Sequence, residues 1–238
     1  MDDLPVLTPI TSPTAARPLL GMTVLVVEDS LYACDAMRLM CLHSGARIRR
    51  ADCLRSARRH LQVYRPSVVI VDLGLPDGSG LDLIEEMAVA SPRVVSILGA
   101  SGMDGSKAGA IAAGADGFID KPLMNLGVFQ QAILATLPQD RQPLGPRILR
   151  DEDIRPDPVA YRDDMAHASN LLDEHSDGPV LDYIAQFLGG VARSADDMQL
   201  AQAADALSNQ RRSGAAMNTQ LAQVAGLVQE RLANRAAM

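Results

Sequence analysis

The sequence predicts an α/β fold: a five-stranded, doubly wound parallel sheet followed by a smaller all-α helical bundle. Three observations carry this reading. From Thr23 to Leu137, short β-branched runs alternate strictly with stretches of helical period, which is the signature of a parallel sheet covered by helices on both faces. The runs VLVV and VVIV are apolar at consecutive positions, as central strands buried on both sides must be. Beyond Pro158 only helical periods remain.

In chain order, residues 1–20 hold four prolines and no periodicity, and read as a flexible lead-in. Strands are expected at Thr23–Val27, Ala46–Arg50, Ser67–Val71, Val94–Leu98 and Gly117–Ile119. Helices are expected between and after them, at Leu31–His43, Cys53–Tyr64, Gly80–Val89, Ser106–Ala113 and Leu126–Leu137. Residues 21–138 thus form one unit of about 115 residues, the usual size of a domain. The stretch 139–158, rich in proline and mixed charge, reads as a linker. Residues 159–238 form the second unit, with helices expected at Val159–Glu174, Val180–Ala192, Ala195–Ser208 and Ala215–Ala236. Stripes such as Ile184/Phe187/Leu188/Val191 and Leu221/Val224/Leu227/Val228/Leu232 recur at three and four residues, so each helix must pack against another.

With no Trp, three Phe and four Tyr, the core has to be aliphatic. Neither an N-terminal secretory pattern nor a membrane-length apolar run is present, so a soluble, cytoplasmic protein without membrane contact is expected. Cys34, Cys41 and Cys53 lack metal-like spacing and read as reduced, buried structural thiols, the first two on one helix face. The net charge of −7 is one-sided: residues 1–150 carry 15 basic and 15 acidic side chains, residues 151–238 carry 7 and 14. A tail of that sign repels a polyphosphate backbone.

In an open parallel sheet, ligands bind beyond the carboxyl ends of the strands. The first strand ends in Glu28-Asp29, the third in Asp72 and the fifth in Asp120-Lys121-Pro122. Three carboxylates and one ammonium therefore converge on one edge. Like charges make one another costlier to ionise, and hard oxygen ligands suit Mg²⁺. The cation would offset the acids and hold a phosphoryl oxygen, Lys121 would pair with another, and Asp72 is left to attack phosphorus. A buried salt-bridge cluster without chemistry is the plain alternative; the ordered motifs below weigh against it.

VVED at 26–29, VDLGLPDGSGLDLI at 71–84 and GADGFIDKP at 114–122 together resemble the receiver domains of response regulators, the CheY-like, flavodoxin-like phosphoacceptors. The likeness runs from about Met22 to Leu137. It implies that Glu28 and Asp29 bind the metal with Asp72 and the backbone carbonyl of Gly74. It further implies that Asp72 is phosphorylated and that Lys121 contacts the phosphate, with Pro122 behind it in a cis-peptide position. Phe118 falls on the family's aromatic switch position. The partner it implies is a sensor histidine kinase or a histidine phosphotransfer protein. The only reaction implied is self-catalysed phosphoryl transfer and autodephosphorylation, so the protein signals rather than acting as a conventional enzyme. One departure concerns the fourth strand, which in the family ends in Thr or Ser. Counting back from Lys121 lands on Gly99, with Ser101 two residues beyond. Either Ser101 supplies the hydroxyl through a shifted loop, or the domain lacks it.

The second unit is less legible. A helix-turn-helix at Leu221–Leu232 with Gly226 as its turn lacks a basic recognition helix, and Arg211-Arg212 is a lone pair of cations. Ala203–Leu207 resembles a histidine phosphotransfer helix but has Asp205 where histidine is needed, and His167 reads as a surface residue. The expected output is a protein-binding or dimerising module, with no nucleic-acid partner. A DNA-binding transcriptional response regulator is the alternative.

Overall fold

The computed structural model describes residues 12–147, 151–174, 178–213 and 218–233. Five parallel strands form one sheet in the order β2-β1-β3-β6-β7: β1 (Thr23–Val27), β2 (Arg47–Ala51), β3 (Val68–Asp72), β6 (Ser96–Ser101) and β7 (Gly117–Asp120). A two-stranded hairpin, β4 (Gly74–Leu75) with β5 (Gly78–Ser79), follows β3. The flanking helices are α1 (Leu31–Ser44), α2 (Leu54–Val63), α3 (Gly80–Val89), α4 (Ser106–Ala112) and α5 (Leu126–Leu134). The predicted α/β sheet and the helical region after it are both present.

Side chains alternate across a strand, and β1 shows the consequence. Val24 and Val26 enter one core with Met37, Met40, Phe129 and Ile133 of α1 and α5. Leu25 and Val27 enter the opposite core with Leu54, Leu83, Ile84 and Met87 of α2 and α3. All five residues of β3 are buried, whereas β2, on the sheet edge, exposes Arg47 and Arg49. Charged side chains on an edge strand discourage pairing with another chain.

The ends of this unit differ from the sequence reading. Residues 1–11 lie outside the described residues, but Leu19 of the expected lead-in is fully buried and its N–H donates to the Ser44 carbonyl at 2.9 Å. Within the expected linker, Ile154 is buried in the α1/α5 core and its N–H donates to the Met124 carbonyl at 2.7 Å. Both are apolar residues among prolines, and burying them gains more than leaving them in water. Cys34 and Cys41 are buried as expected and burial pushes both thiols up to about 12; Cys53 is only half-buried.

The helical region comprises α6 (Pro158–Glu174), α7 (Pro179–Ser194), α8 (Met198–Ser213) and α9 (Asn218–Ala233). Their stripes close a third core around Met165, Ile184, Leu188, Leu200, Leu207, Val224 and Val228. The third helix starts later than expected because Asp197 caps it, its carboxylate accepting from the Leu200 N–H at 3.1 Å. Helix α9 runs continuously through Gly226, so the turn that a helix-turn-helix would need there is absent. Arg211 pairs with Asp182, and Arg212 with Asn209 at 3.0 Å.

This bundle sits on α1. Asp164 of α6, 1% exposed, accepts from Ser30 Oγ (2.7 Å) and from the Leu31 and Tyr32 N–H groups (2.7 and 3.0 Å). Ser30 meanwhile caps α1, accepting from the Ala33 N–H at 3.0 Å. An anion on the free N–H groups of a helix start is favourable. The rings of Tyr32 and Tyr161 meet edge to face at 5.8 Å.

Candidate functional site

Because the strands are parallel, their carboxyl ends share one edge, and the strand order reverses direction between β1 and β3. Glu28 and Asp29 follow β1, Asp72 ends β3, and Lys121 follows β7. The four predicted side chains meet there. Lys121 Nζ lies 2.5 Å from Glu28 Oε2 and 3.0 Å from Asp72 Oδ2. Glu28, Asp29 and Asp72 each present a carboxylate oxygen, all within 4.8 Å of one another. Backbone donors steady them: the Ser30 N–H reaches Glu28 Oε1 at 3.2 Å and Asp29 Oδ1 at 3.0 Å, and the Gly74 N–H reaches Asp72 Oδ1 at 3.4 Å.

Glu28 is 2% and Asp72 8% exposed. Burial pushes the Glu28 carboxyl up to about 7 against the pull of Lys121. Burial, with Asp72 adding to it, raises Asp29 to about 6. Asp72 rises to about 6 through burial, opposed by Lys121 and reinforced by Glu28. Burial alone would lower the Lys121 ammonium, but Asp72 and Glu28 outweigh it and hold the group well up. A single ammonium thus leaves the trio under-neutralised, an arrangement in which a further cation is stabilising.

The switch positions separate. Ser101 is buried and lines the pocket, its Oγ accepting from the Met103 N–H at 3.1 Å. Gly99 is not among the lining residues; a Cβ there would fall 2.8 Å from Ala110 Cβ and 3.3 Å from Phe118 Cδ2. No Thr or Ser fits at Gly99 unless Ala110 moves. The peptide bond between Lys121 and Pro122 is cis. His167 is exposed, with its ring edge to face on Phe187 at 5.6 Å, and Asp205 pairs with Arg193 at 3.0 Å.

Helix α7 supplies residues that the sequence reading missed. The Tyr183 hydroxyl donates to Asp29 Oδ2 at 2.6 Å, and burial followed by the Asp29 charge holds that phenol well above its ordinary range. Gln186 abuts Gly74, and Gln186, Phe187, Gly190, Val191 and Arg193 complete the pocket wall. In the sequence Tyr183 appears only as a neighbour of the Ile184/Phe187 stripe, and nothing there ties it to Asp29, 154 residues away.

The response regulator receiver domain profile matches residues 24–133. The KDP operon transcriptional regulatory protein KdpE of Escherichia coli K12 is 32% identical over 114 residues, 48% of this chain and 50% of that one. The virulence transcriptional regulatory protein PhoP of Salmonella typhimurium is 34% identical over 103 residues, 42% of this chain and 46% of the relative. The chain thus spans about half the length of the curated relatives it matches. Among solved structures, the chemotaxis response regulator CheY4 of Vibrio cholerae aligns at 23% identity and a TM-score of 0.44, covering 49% of this chain and 98% of that one. A two-component response regulator from Clostridium difficile aligns at 20% and 0.42, covering 45% and 88%. With this profile match, the three ordered motifs and the strand order, residues 24–133 are a two-component response regulator receiver domain.

Proposed function

We propose that this chain is a phosphoacceptor switch that takes a phosphoryl group on Asp72 from a phosphohistidine partner and signals through protein contacts of its helical bundle. The observation that carries the reading is the Lys121 ammonium bridging Glu28 and Asp72, both buried, in a trio of carboxylates completed by the half-buried Asp29. In the transfer, an Asp72 carboxylate oxygen forms the new bond to phosphorus while the phosphorus–nitrogen bond to the donor imidazole breaks. The nitrogen keeps that electron pair and takes up a proton. Lys121 balances charge on the moving phosphoryl oxygens. The donor set fits Mg²⁺: hard carboxylate oxygens of Glu28, Asp29 and Asp72, with the Gly74 carbonyl as a further ligand. When bound, the ion would supply charge neutralisation at the phosphoryl oxygens. Ser101, which lines the pocket, is read as the source of the hydroxyl instead of Gly99, and Phe118, beside Gly99, as the aromatic of the switch.

Residues 21–138 are read as the receiver unit, with Leu19 and Ile154 packed onto it from outside those bounds, 139–158 as the connecting segment and 159–238 as the interaction unit, with a sensor kinase or phosphotransfer protein as donor and a homodimer as one output state. Among the described residues no helix is long and apolar enough to cross a membrane; a cytoplasmic location is part of the proposal. The test is incubation with phosphoramidate and Mg²⁺, read by intact mass. One phosphoryl group should add to the wild type and none to Asp72→Asn or to protein held in a chelator. Unchanged labelling of Asp72→Asn refutes the assignment.

A second reading, DNA-binding transcriptional regulation, is favoured by one observation, the regulatory roles in the names of KdpE and PhoP. Against it stand the excess of acids beyond residue 150, the unbroken α9 and the engaged Arg211 and Arg212. Salt-sensitive retention on a heparin column would favour it.

A further inference from the structure

The pocket holding Asp72 is roofed by the chain's own α7. Tyr183 is hydrogen-bonded to Asp29 and Gln186 lies against Gly74 so closely that a Cβ there would collide with its amide. Phe187, Gly190 and Val191 continue the wall across the pocket mouth. The clamp has a second anchor: Asp164 of α6 holds the Leu31 and Tyr32 N–H groups at the start of α1. These two amides belong to the first turn of a helix and have no partner within it.

We propose that α7 is an intramolecular lid on the Asp72 pocket, and that the docked bundle and a phosphoryl group on Asp72 exclude one another. The proposal rests on the phosphoacceptor reading of Asp72 and deepens it. Gln186 fills the space beside Gly74 and Tyr183 holds Asp29, so a phosphoryl group with three oxygens on Asp72 needs these α7 side chains to withdraw, and the docked position of the helix is what holds them there. The helix of a protein donor cannot reach Asp72 while α7 lies over it, so the bundle and the donor share one receiver face. Arg193 lines the same pocket, but its guanidinium is held by Asp205 at 3.0 and 3.2 Å. A ligand that binds only the open state shifts the population toward it.

Amide exchange at Leu31 and Tyr32 reports docking directly, because Asp164 is their acceptor. The full chain is mixed with Mg²⁺ and beryllofluoride, a phosphoryl mimic, with occupancy read by fluorine NMR. Bound resonances together with at least tenfold faster exchange at Leu31 and Tyr32 are expected. Tyr183→Phe and Gln186→Ala should each speed exchange several-fold without the mimic, and should bind it more tightly than wild type. A bound mimic with unchanged or slower exchange overturns the lid and leaves the phosphoacceptor reading standing. Binding in the two variants but not in wild type supports the lid. Failure to bind in wild type and both variants sinks both readings together.

Discussion

Replacing Asp164 with alanine tests whether receiver and bundle are energetically one structure. The carboxylate is buried and accepts three hydrogen bonds, one from Ser30 Oγ and two from the first-turn N–H groups of α1. Leaving a buried donor unsatisfied costs about 1–3 kcal/mol, and loss of an N-terminal acceptor alone costs about 1 kcal/mol. Against this, burial pushes the Asp164 carboxyl up, opposed by Ser30 and the two N–H groups, so its removal recovers part of a desolvation cost. Water also reaches Leu31 and Tyr32 once α6 lifts away, which limits the loss to the free energy of docking. The net expectation is about 2–3 kcal/mol of lost stability. Urea denaturation followed by far-ultraviolet circular dichroism measures it, and the mutant should show a broader or split transition as the two cores uncouple. A double-mutant cycle with Ser30→Ala isolates the cross-interface bond, with a coupling of about 1 kcal/mol or more. A loss below about 0.5 kcal/mol, the range of ordinary surface substitutions, with additive single mutants, would refute the reasoning.

Gly80→Ala should destabilise by about 1–3 kcal/mol, because its Cβ meets the Asp72 carbonyl, a backbone atom that cannot swing aside. Labelling of Asp72 should fall further than the stability loss alone explains, and wild-type urea midpoints would contradict this. Ser101→Ala should lower phosphoramidate labelling of Asp72, because Ser101 lines the pocket and Gly99 does not; unchanged labelling would mean that the domain works without that hydroxyl. Asp197 provides a pH test. Burial would raise its carboxyl, but Arg231 (2.9 and 3.1 Å), Tyr161 Oη (2.7 Å) and the Leu200 N–H outweigh it and hold it at about 2. A lowered carboxyl stabilises the fold above its unfolded value of about 3.9 and loses that contribution as pH falls toward 2. The stability gap between wild type and Arg231→Gln should therefore narrow from pH 5 to pH 3, and a constant gap would count against the ion pair.

The receiver was legible because each signal was local or topological. VLVV and VVIV announce two buried strands, and in a parallel sheet the residues after them must share an edge, so Glu28, Asp29, Asp72 and Lys121 could be brought together on paper. The bundle's helices were legible from their stripes, but not their partners. Asp164, Tyr183 and Gln186 act across 132 to 154 residues or against a bare glycine, and no periodicity records such contacts. Likewise the burial of Leu19 and Ile154 follows from docking onto α1 and α5, which a passage rich in proline conceals.

Charge explains why this lid is built from the residues it is. The C-terminal region carries 14 acidic against 7 basic side chains, and it covers a pocket of three carboxylates. Acids facing that pocket would repel it across a short, poorly solvated gap. The surface that α7 turns inward contains none: a phenol, an amide, apolar groups and one guanidinium meet the pocket. Asp182 on the same helix is instead paired with Arg211, and Asp164 is directed onto N–H groups at the start of α1. Neutral donors can satisfy Asp29 without neutralising it, so the trio retains its demand for a cation while the lid is shut. Such a lid is tight enough to exclude a protein and weak enough to yield to added bulk and charge: a phosphoryl group brings about −1.5 to −2 to this spot, beside a wall that Gln186 fills at Gly74. Keeping its acids off this surface is what lets an acidic region close over an acidic pocket.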